Sequence, residues 1–248
     1  MCERSAIELQ LLWRKPGPES RGRRKKYSLD DIVATAIDIA DVEGLAALTI
    51  RRVASAMGMS TMNLYTYVPG TKELLHLMID YLYLSYPQRP SETSGWRSKA
   101  EAVAEDNYDL WSQHAWIATA APSRPPLGPG VLRKYEHELH AFDGVPLSDV
   151  EKDAALTYLL TFVHGAARAA TEAAEVRKSS GVTNAEWWEA NGPLLAESVT
   201  PEEYPLATRI GEAAGMVSGS AYDPDAAFRF GLERTLDGLA VLMDRYRS

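Results

Sequence analysis

The sequence holds a single cysteine, Cys2, and lacks any long run of apolar residues. One cysteine excludes a disulfide framework within the chain and fits a reducing compartment. A helix that spans a bilayer needs about 20 consecutive apolar residues. Charged residues, Glu3, Arg4 and Glu8, also interrupt the N-terminal segment, so we predict no secretory signal and no membrane partner. We therefore expect a cytoplasmic protein.

Sequence motifs for enzymatic chemistry are missing as well. No Gly-rich phosphate loop, H-E-x-x-H or G-x-S-x-G occurs, and the GPG of residues 128–130 is too short to indicate a phosphate site. His137 and His140 lie three residues apart, but isolated histidines are more often hydrogen-bonded core or surface residues than metal ligands. We therefore predict no enzyme activity, no cofactor and no metal.

Alternating strand patterns are absent too, and helical signals take their place. We predict an all-α fold with helices that begin at capping residues and prolines. Residues 1–27 and 197–223 are expected to be irregular, with a short helix near Thr200 in the second of these. The predicted helix starts are Ser28, Thr49, Ser60, Lys72, Ser148, Thr183 and Asp223. The helix from Ser148 is predicted to run for about 28 residues.

Charge is unevenly distributed along the chain, whose net charge is -8. Residues 1–87 hold 11 Lys+Arg and 10 Asp+Glu, whereas the remainder holds 15 and 24. Between residues 14 and 28 seven basic residues stand against Glu19 alone. A basic segment on an acidic protein indicates an anionic partner, although a solubilising tail would look the same.

Residues 49–68 fit a helix-turn-helix, with a short helix, a turn at Gly58 and a second short helix. If Leu64 points inward, Met62 and Thr66 point away from the core, with Asn63 and Tyr65 on the flanks. Asn pairs with adenine, and Met and Tyr can contact a thymine methyl group. The pattern therefore predicts binding to the major groove of double-stranded DNA.

Residues 28–82 resemble the DNA-binding domain of the tetracycline-repressor (TetR) family. The shared motifs are E-G-L at 43–45, L-T-x-R-x-V-A at 48–54, M-G-x-S at 57–60, N-L-Y-x-Y-V at 63–68 and K-E-L-L at 72–75. The resemblance implies a helix-turn-helix domain over residues 28–72, after a flexible basic arm at 1–27. It also implies a helical domain over 73–248 that binds a small molecule and forms a homodimer.

Carried over by position, the resemblance implies a set of DNA-binding residues. Thr49 and Arg51 would approach the DNA from the second helix. The family places a phosphate-contacting Lys where Thr71 stands here, and Lys72 follows one residue later. The basic arm would compensate by entering the minor groove. The DNA-binding candidates are Arg23, Arg24, Lys25, Lys26, Thr49, Arg51, Thr61, Met62, Asn63, Tyr65, Tyr67 and Lys72.

Polar and aromatic residues in the second half of the chain are candidates for an effector site. Thr157, Thr161, His164, Arg168 and Thr171 follow one stripe of the long helix, which would border a ligand cavity or face solvent. Tryptophans could line an apolar pocket for a flat ligand or belong to the core. The effector-site candidates are Trp111, His114, Trp116, His137, Thr161, His164, Arg168 and Trp187.

The final helix would form the dimer interface together with the long helix. Its apolar residues are Phe230, Leu232, Leu236, Leu239, Leu242 and Met243. The sequence thus predicts a ligand-responsive repressor that dissociates from a pseudo-palindromic operator when a small molecule binds. A helical binding protein or enzyme with a vestigial reader, and a protein-interaction module without a cavity, are the alternatives.

Overall fold

A computed structural model describes residues 2–14, 27–87, 95–120, 125–220 and 222–246. Within these ranges the chain forms helices and no strand, which confirms the all-α prediction. Two single 3₁₀ turns, Leu45–Ala47 and His140–Phe142, join neighbouring helices. The helices are α1 Cys2–Leu12, α2 Leu29–Glu43, α3 Ile50–Ala56, α4 Thr61–Tyr65, α5 Thr71–Ser85, α6 Trp96–Gln113, α7 Ala115–Ala120, α8 Pro129–Leu139, α9 Asp149–Ser180, α10 Asn184–Ser198, α11 Pro205–Ser218 and α12 Pro224–Asp244.

Side-chain caps begin several of these helices where the sequence predicted them. The Ser28 hydroxyl accepts a hydrogen bond from the Asp31 amide at 3.0 Å, and the Ser28 amide donates to the Asp31 carboxylate at 2.7 Å. The same reciprocal pair opens α9 at Ser148 and α10 at Thr183. These bonds satisfy backbone amides that have no partner inside the helix.

Helices α2 to α5 form an N-terminal bundle. The inner face of α2, including Ile32, Val33 and Ala36, is fully buried against α3 and α5. Between α3 and α4 the backbone turns at Gly58, whose φ of 63° favours a residue without a Cβ. Leu64 of α4 is fully buried, so the second short helix is held rigidly by the core.

Helices α6, α7, α8 and α12 pack around α9 in a C-terminal bundle, and α10 and α11 lie at its outside. The first half of α9 packs against α6, α8 and α12. Leu156, Leu159 and Val163 are buried there, each contributing about 1.5–3 kcal/mol by removal from water. Beyond Ala167 no residue of α9 is buried in the single chain, and α10 and α11 contain no buried residue either.

Helix α5 joins the two bundles, and its contact with α8 is unusually close. The Asp80 carboxylate accepts a hydrogen bond from the Val131 amide at 3.0 Å. A Cβ on Gly130 would lie 1.9 Å from the Asp80 carbonyl oxygen, and one on Gly128 would lie 2.2 Å from the carboxylate. Burial raises the pKa of Asp80, against the opposing effect of the Val131 and Gly130 amides. The GPG segment, which the sequence interpretation dismissed, is the position where α8 docks on α5.

Two expectations of irregular structure were wrong. Residues 2–12 form α1, which packs on α5 with Leu12 buried and Glu8 paired with His76. A mixed pattern without clear periodicity hid this helix, whose stability comes from its tertiary contacts. Residues 205–218 form α11, with Pro205 at its first turn, although a short helix near Thr200 was expected.

Candidate nucleic-acid interface and effector site

The outer surface of α4 carries the side chains that the sequence assigned to DNA. Met62 is 76% exposed and Tyr65 is 48% exposed, whereas Leu64 between them is fully buried. Asn63 and Thr66 are also exposed, and Thr61 is half-buried. The Ser60 hydroxyl caps the helix by accepting from the Asn63 amide at 3.2 Å. A rigid helix thus presents an amide, a thioether and a phenol to solvent.

Helix α3, the first short helix of the motif, has one arginine that is exposed and one that forms an ion pair within the protein. Arg51 is exposed, whereas the neighbouring Arg52 donates two hydrogen bonds to the Glu43 carboxylate at the end of α2. That pairing lowers the pKa of Glu43. The Thr49 hydroxyl caps α3 by accepting from the Arg52 amide at 3.0 Å. Thr49 therefore positions α3 and remains exposed at its start.

The remaining DNA-binding candidates flank α4. Tyr67 is half-buried and packs against the core, while Lys72 is exposed in the first turn of α5. Arg23, Arg24, Lys25 and Lys26 lie outside the described residues. They directly precede Tyr27, whose hydroxyl donates to the Met57 carbonyl in the turn of the motif at 2.7 Å. Sequence reasoning missed this contact, which holds Tyr27 beside the helix-turn-helix.

A buried polar cluster lies where α5, α6 and α8 meet. The Lys134 ammonium is 2.5 Å from a Glu138 carboxylate oxygen, and the Asn107 amide donates to the same oxygen at 2.6 Å. Glu138 and Asn107 are 4% and 2% exposed. A narrow cavity of about 20 Å³ adjoins this polar cluster, and His137, one of the effector-site candidates, lines it.

Trp111 and His164 form a second location. Trp111 is buried on α6, and its ring meets the His164 imidazole edge to face with centroids 5.3 Å apart. The His164 Nε2 atom lies 2.9 Å from the Ala118 carbonyl oxygen. His164 therefore ties the long helix α9 to α7, and its ring faces the interior.

His114 and Trp116 occupy a third location, at the junction of the two bundles. Both contact the Asp41 carboxylate near the end of α2: the Trp116 Nε1 donates to Oδ1 at 2.7 Å, and the His114 Nδ1 lies 2.9 Å from each oxygen. These bonds connect the helix-turn-helix bundle directly to the start of α7. The two residues are structural links here, a role that their sequence positions did not reveal.

Three further effector-site candidates lie on the outside of the C-terminal bundle. Thr161 is exposed and donates to the Thr157 carbonyl at 2.7 Å. Arg168 pairs with Glu172 on the surface of α9 at 2.9 Å. Trp187 is 52% exposed on α10. The structure thus distributes the eight candidates over four places, of which the first two adjoin, since the Trp111 ring lies 5.9 Å from the Lys134 ammonium. The eight do not line a common cavity in the single chain.

Residues that the sequence interpretation missed form the buried polar cluster. Tyr83, Asn107, Lys134 and Glu138 were not candidates, because Lys134 and Glu138 at i and i+4 look like an ordinary surface ion pair. Among the described residues no three His, Cys, Asp or Glu side chains come together as a metal site would require. None of the helices in the described ranges has the length and apolar character to cross a bilayer.

Comparison with known proteins agrees with this arrangement. Residues 87–243 match the sequence profile of the "Tetracyclin repressor-like, C-terminal domain". The chain belongs to the tetracycline-repressor family. Like other members of this TetR family, it is a ligand-responsive, DNA-binding transcriptional regulator and not an enzyme.

Two curated relatives match different shares of the chain. An HTH-type transcriptional repressor, DrrR1 of Streptomyces coeruleorubidus, is 38% identical over 250 residues, which cover 98% of this chain and 88% of the relative. An HTH-type transcriptional regulator of Saccharopolyspora erythraea is 26% identical over 125 residues, covering 50% of this chain and 52% of the relative.

Solved structures of TetR proteins share the fold. The Streptomyces coelicolor TetR family protein ActR in complex with actinorhodin is 27% identical, with a TM-score of 0.73, covering 88% of this chain and 97% of that one. ActR without ligand gives a TM-score of 0.67 at 27% identity, over 87% of this chain and 97% of that chain. ActR therefore resembles this chain both with actinorhodin bound and without it.

Proposed function

We propose that this protein is a homodimeric repressor that binds a pseudo-palindromic operator and releases it when a small molecule occupies the C-terminal bundle. The observation that carries the proposal is the exposed outer surface of α4, held by the buried Leu64 and capped by Ser60. The relative that is named a repressor supports repression as the direction of regulation. The protein would act in the cytoplasm.

In this proposal Asn63, Met62, Tyr65 and Thr61 contact base edges in the major groove. Thr49, Arg51, Tyr67 and Lys72 contact phosphates and set the register. The segment Arg23–Lys26 enters the adjacent minor groove, since Tyr27 is bonded to the turn of the motif. The functional domains would be 28–72 for DNA and 73–248 for effector and dimerisation, with α5 between them.

Exposed apolar residues on α9 and α12 support the homodimer. Most of the residues first assigned to the interface on α12 belong to the chain's own core instead: Leu232, Leu236, Leu239 and Met243 are buried. Phe230 remains 65% exposed and Val241 57% exposed, and on α9 Tyr158 is 56% exposed. Operator half-sites one duplex turn apart require the two α4 helices of the dimer to lie about 34 Å apart.

Release follows if the effector prefers a different spacing of the two α4 helices. An effector shifts the equilibrium only by its difference in affinity between the two states, and each tenfold change in operator binding corresponds to about 1.4 kcal/mol. Helix α5 transmits the change, because it packs on α2 at one side and on α8 at the other. The Asp41 contacts with His114 and Trp116 provide a second connection.

The proposal is tested by operator binding measured by gel shift over a range of salt concentrations. Asn63→Ala is expected to lower the affinity for the operator by roughly tenfold to a hundredfold, since a good base contact gives about 1–3 kcal/mol of discrimination. It should also discriminate less between the operator and other DNA sequences. Arg24→Ala is expected to weaken binding to all duplexes and to flatten the salt slope by about one phosphate.

Arg209→Ala, on the exposed surface of α11, is the matched control for lost positive charge and should bind like the parent. Equal binding by all variants, or a parent protein that is monomeric and binds no duplex from its own promoter region, would contradict the proposal. Light scattering with Phe230→Asp tests the dimer, because a charge at that exposed ring should disfavour an apolar interface.

A further inference from the structure

A lysine occupies an aromatic slot where α5 packs against the C-terminal bundle. The Lys134 ammonium lies 5.0 Å from the centroid of the Tyr83 ring and 5.9 Å from that of Trp111. Its third neighbour is the Glu138 carboxylate, at 2.5 Å. Aromatic faces and a carboxylate are the groups with which proteins bind organic ammonium ions. The protein therefore fills a site of this chemistry with its own side chain.

Two buried polar atoms beside the slot have no hydrogen-bond partner among the described residues. They are the Asn107 side-chain oxygen and the Trp111 indole nitrogen. Both residues are buried on α6, four positions apart and so on one face of the helix. Leaving a buried acceptor and a buried donor unpaired is unfavourable. A bound molecule with a donor and an acceptor group would satisfy both.

The cavity is too small to admit such a molecule without a rearrangement. Its volume of about 20 Å³ holds roughly one water molecule, whereas pockets for small effectors measure about 300–1,000 Å³. Tyr83, Asn107 and Glu138 are held by their helices, but Lys134 has four rotatable bonds and its side chain is 13% exposed. Rotation of Lys134 toward solvent would vacate the position that its ammonium group occupies in the slot.

Displacement of Lys134 has an electrostatic consequence. Glu138 would remain buried with the Asn107 amide as its bonded partner and without the cation that balances its charge. A buried carboxylate that loses its ion-pair partner is strongly destabilising. A neutral or anionic ligand would leave that cost in place, whereas a ligand that carries an ammonium group removes it.

We propose that the effector is an organic amine whose ammonium group replaces that of Lys134 between Tyr83, Trp111 and Glu138. Its remaining body would bear a hydroxyl or amine that donates to the Asn107 side-chain oxygen, and a hydroxyl or carbonyl oxygen that accepts from the Trp111 indole nitrogen. This inference rests on the proposed function for the statement that the bound molecule is the effector. The preference of the slot for a cation is a separate statement and is tested separately.

The test uses the full-length protein with Lys134→Ala. This substitution removes the three carbons and the nitrogen that 1-propylammonium contains, so that ion is the probe. Thermal unfolding is followed against propylammonium chloride, with sodium chloride replaced at constant ionic strength. We expect a saturable rise in the melting temperature of Lys134→Ala and none for the parent. 1-Propanol and sodium propionate are the neutral and anionic controls, and at least tenfold more of either should be needed for the same rise.

The double variant Lys134→Ala/Glu138→Gln is the matched control for charge. It should lose the preference for the amine, because the amide no longer needs a cation. An equal response to propanol, or an unchanged amine preference in the double variant, would overturn the inference. It would show that the slot selects shape and not charge.

If Lys134→Ala does not fold, the requirement of Glu138 for a cation is tested with Lys134→Met. This substitution keeps the apolar part of the side chain and removes the charge. Lys134→Met should unfold at lower urea than the parent, and Glu138→Gln in the same background should recover most of the loss. A Lys134→Met protein as stable as the parent would refute the argument that Glu138 requires a cation.

Operator binding separates this inference from the proposed function. If the parent protein does not bind operator DNA, the proposed regulatory function is wrong, but the preference of the slot for a cation is unaffected. Conversely, if the operator is bound and released by an effector while Lys134→Ala responds equally to propanol and propylammonium, the regulator stands and the ligand class is wrong. If propylammonium binds Lys134→Ala with the expected preference but leaves operator binding unchanged, the slot is not the effector site.

Discussion

The N-terminal and C-terminal bundles differ in how closely their candidate functional residues lie together. On α4 the candidates Met62, Asn63 and Tyr65 are exposed around the buried Leu64, after a capped helix start. Candidates in the C-terminal bundle are divided among a cavity wall, a buried aromatic pair, a junction with α2 and an outer surface.

The difference follows from the distances along the chain. In the helix-turn-helix, the residues that define the surface lie within about twenty positions, so helical periodicity and one turn fix their relative directions. In the C-terminal bundle, Asn107 meets Glu138, and His164 meets Ala118, across much longer separations. Local patterns specify which face of a helix is apolar, but not which helix will cover it.

Gly130→Ala tests the close contact between the two bundles, where a large loss of stability is expected. The new Cβ would lie 1.9 Å from a backbone oxygen of α5, which no side-chain rotation can relieve. We expect a loss of about 1–3 kcal/mol or more in the free energy of unfolding, measured by urea denaturation. Gly211→Ala, where a Cβ meets nothing within 4 Å in α11, should be neutral or stabilising. Similar stability of the two variants would mean that α8 does not dock closely on α5.

A second prediction separates stability from DNA binding within α4. Leu64→Ala removes a fully buried side chain and should cost about 2–5 kcal/mol in unfolding free energy. Met62→Ala, two residues away and 76% exposed, should change that free energy by less than about 0.5 kcal/mol yet weaken operator binding. Loss of stability in Met62→Ala would show that the outer surface of α4 contributes to the fold and was misassigned.

The smallest effect expected is at the start of the N-terminal bundle, with Ser28→Ala. The Ser28 amide and hydroxyl lower the pKa of Asp31, so this contribution is present above the unfolded pKa and is lost as the pH falls through the folded value. Ser28→Ala should therefore lower the melting temperature by a few degrees at neutral pH and by less in acid. Ser55→Ala, at an exposed position within α3, is the control. If the difference in melting temperature between Ser28→Ala and the parent became larger at acid pH, this mechanism would be excluded.

The sequence was sufficient for the all-α class, for the capped starts of α2, α9 and α10, and for the exposure of Asn63 and Met62. Capping boxes and a buried leucine at helical spacing are local signals. The sequence did not predict the role of Asp41, because its carboxylate contacts His114 and Trp116, which lie more than seventy residues later. It was also insufficient for Gly130, because its requirement for glycine arises from a helix fifty residues earlier.

Helix α1 has a practical consequence for anyone who expresses this protein. The Trp13 indole donates to the Leu127 carbonyl at 2.6 Å, Arg14 pairs with Asp30, and Glu8 partners the buried His76. A shortened gene product that begins at the helix-turn-helix would leave that imidazole without its carboxylate and uncover one side of α5. An affinity tag is therefore better placed after Tyr246, whose hydroxyl donates to Glu151, than in exchange for the first fourteen residues.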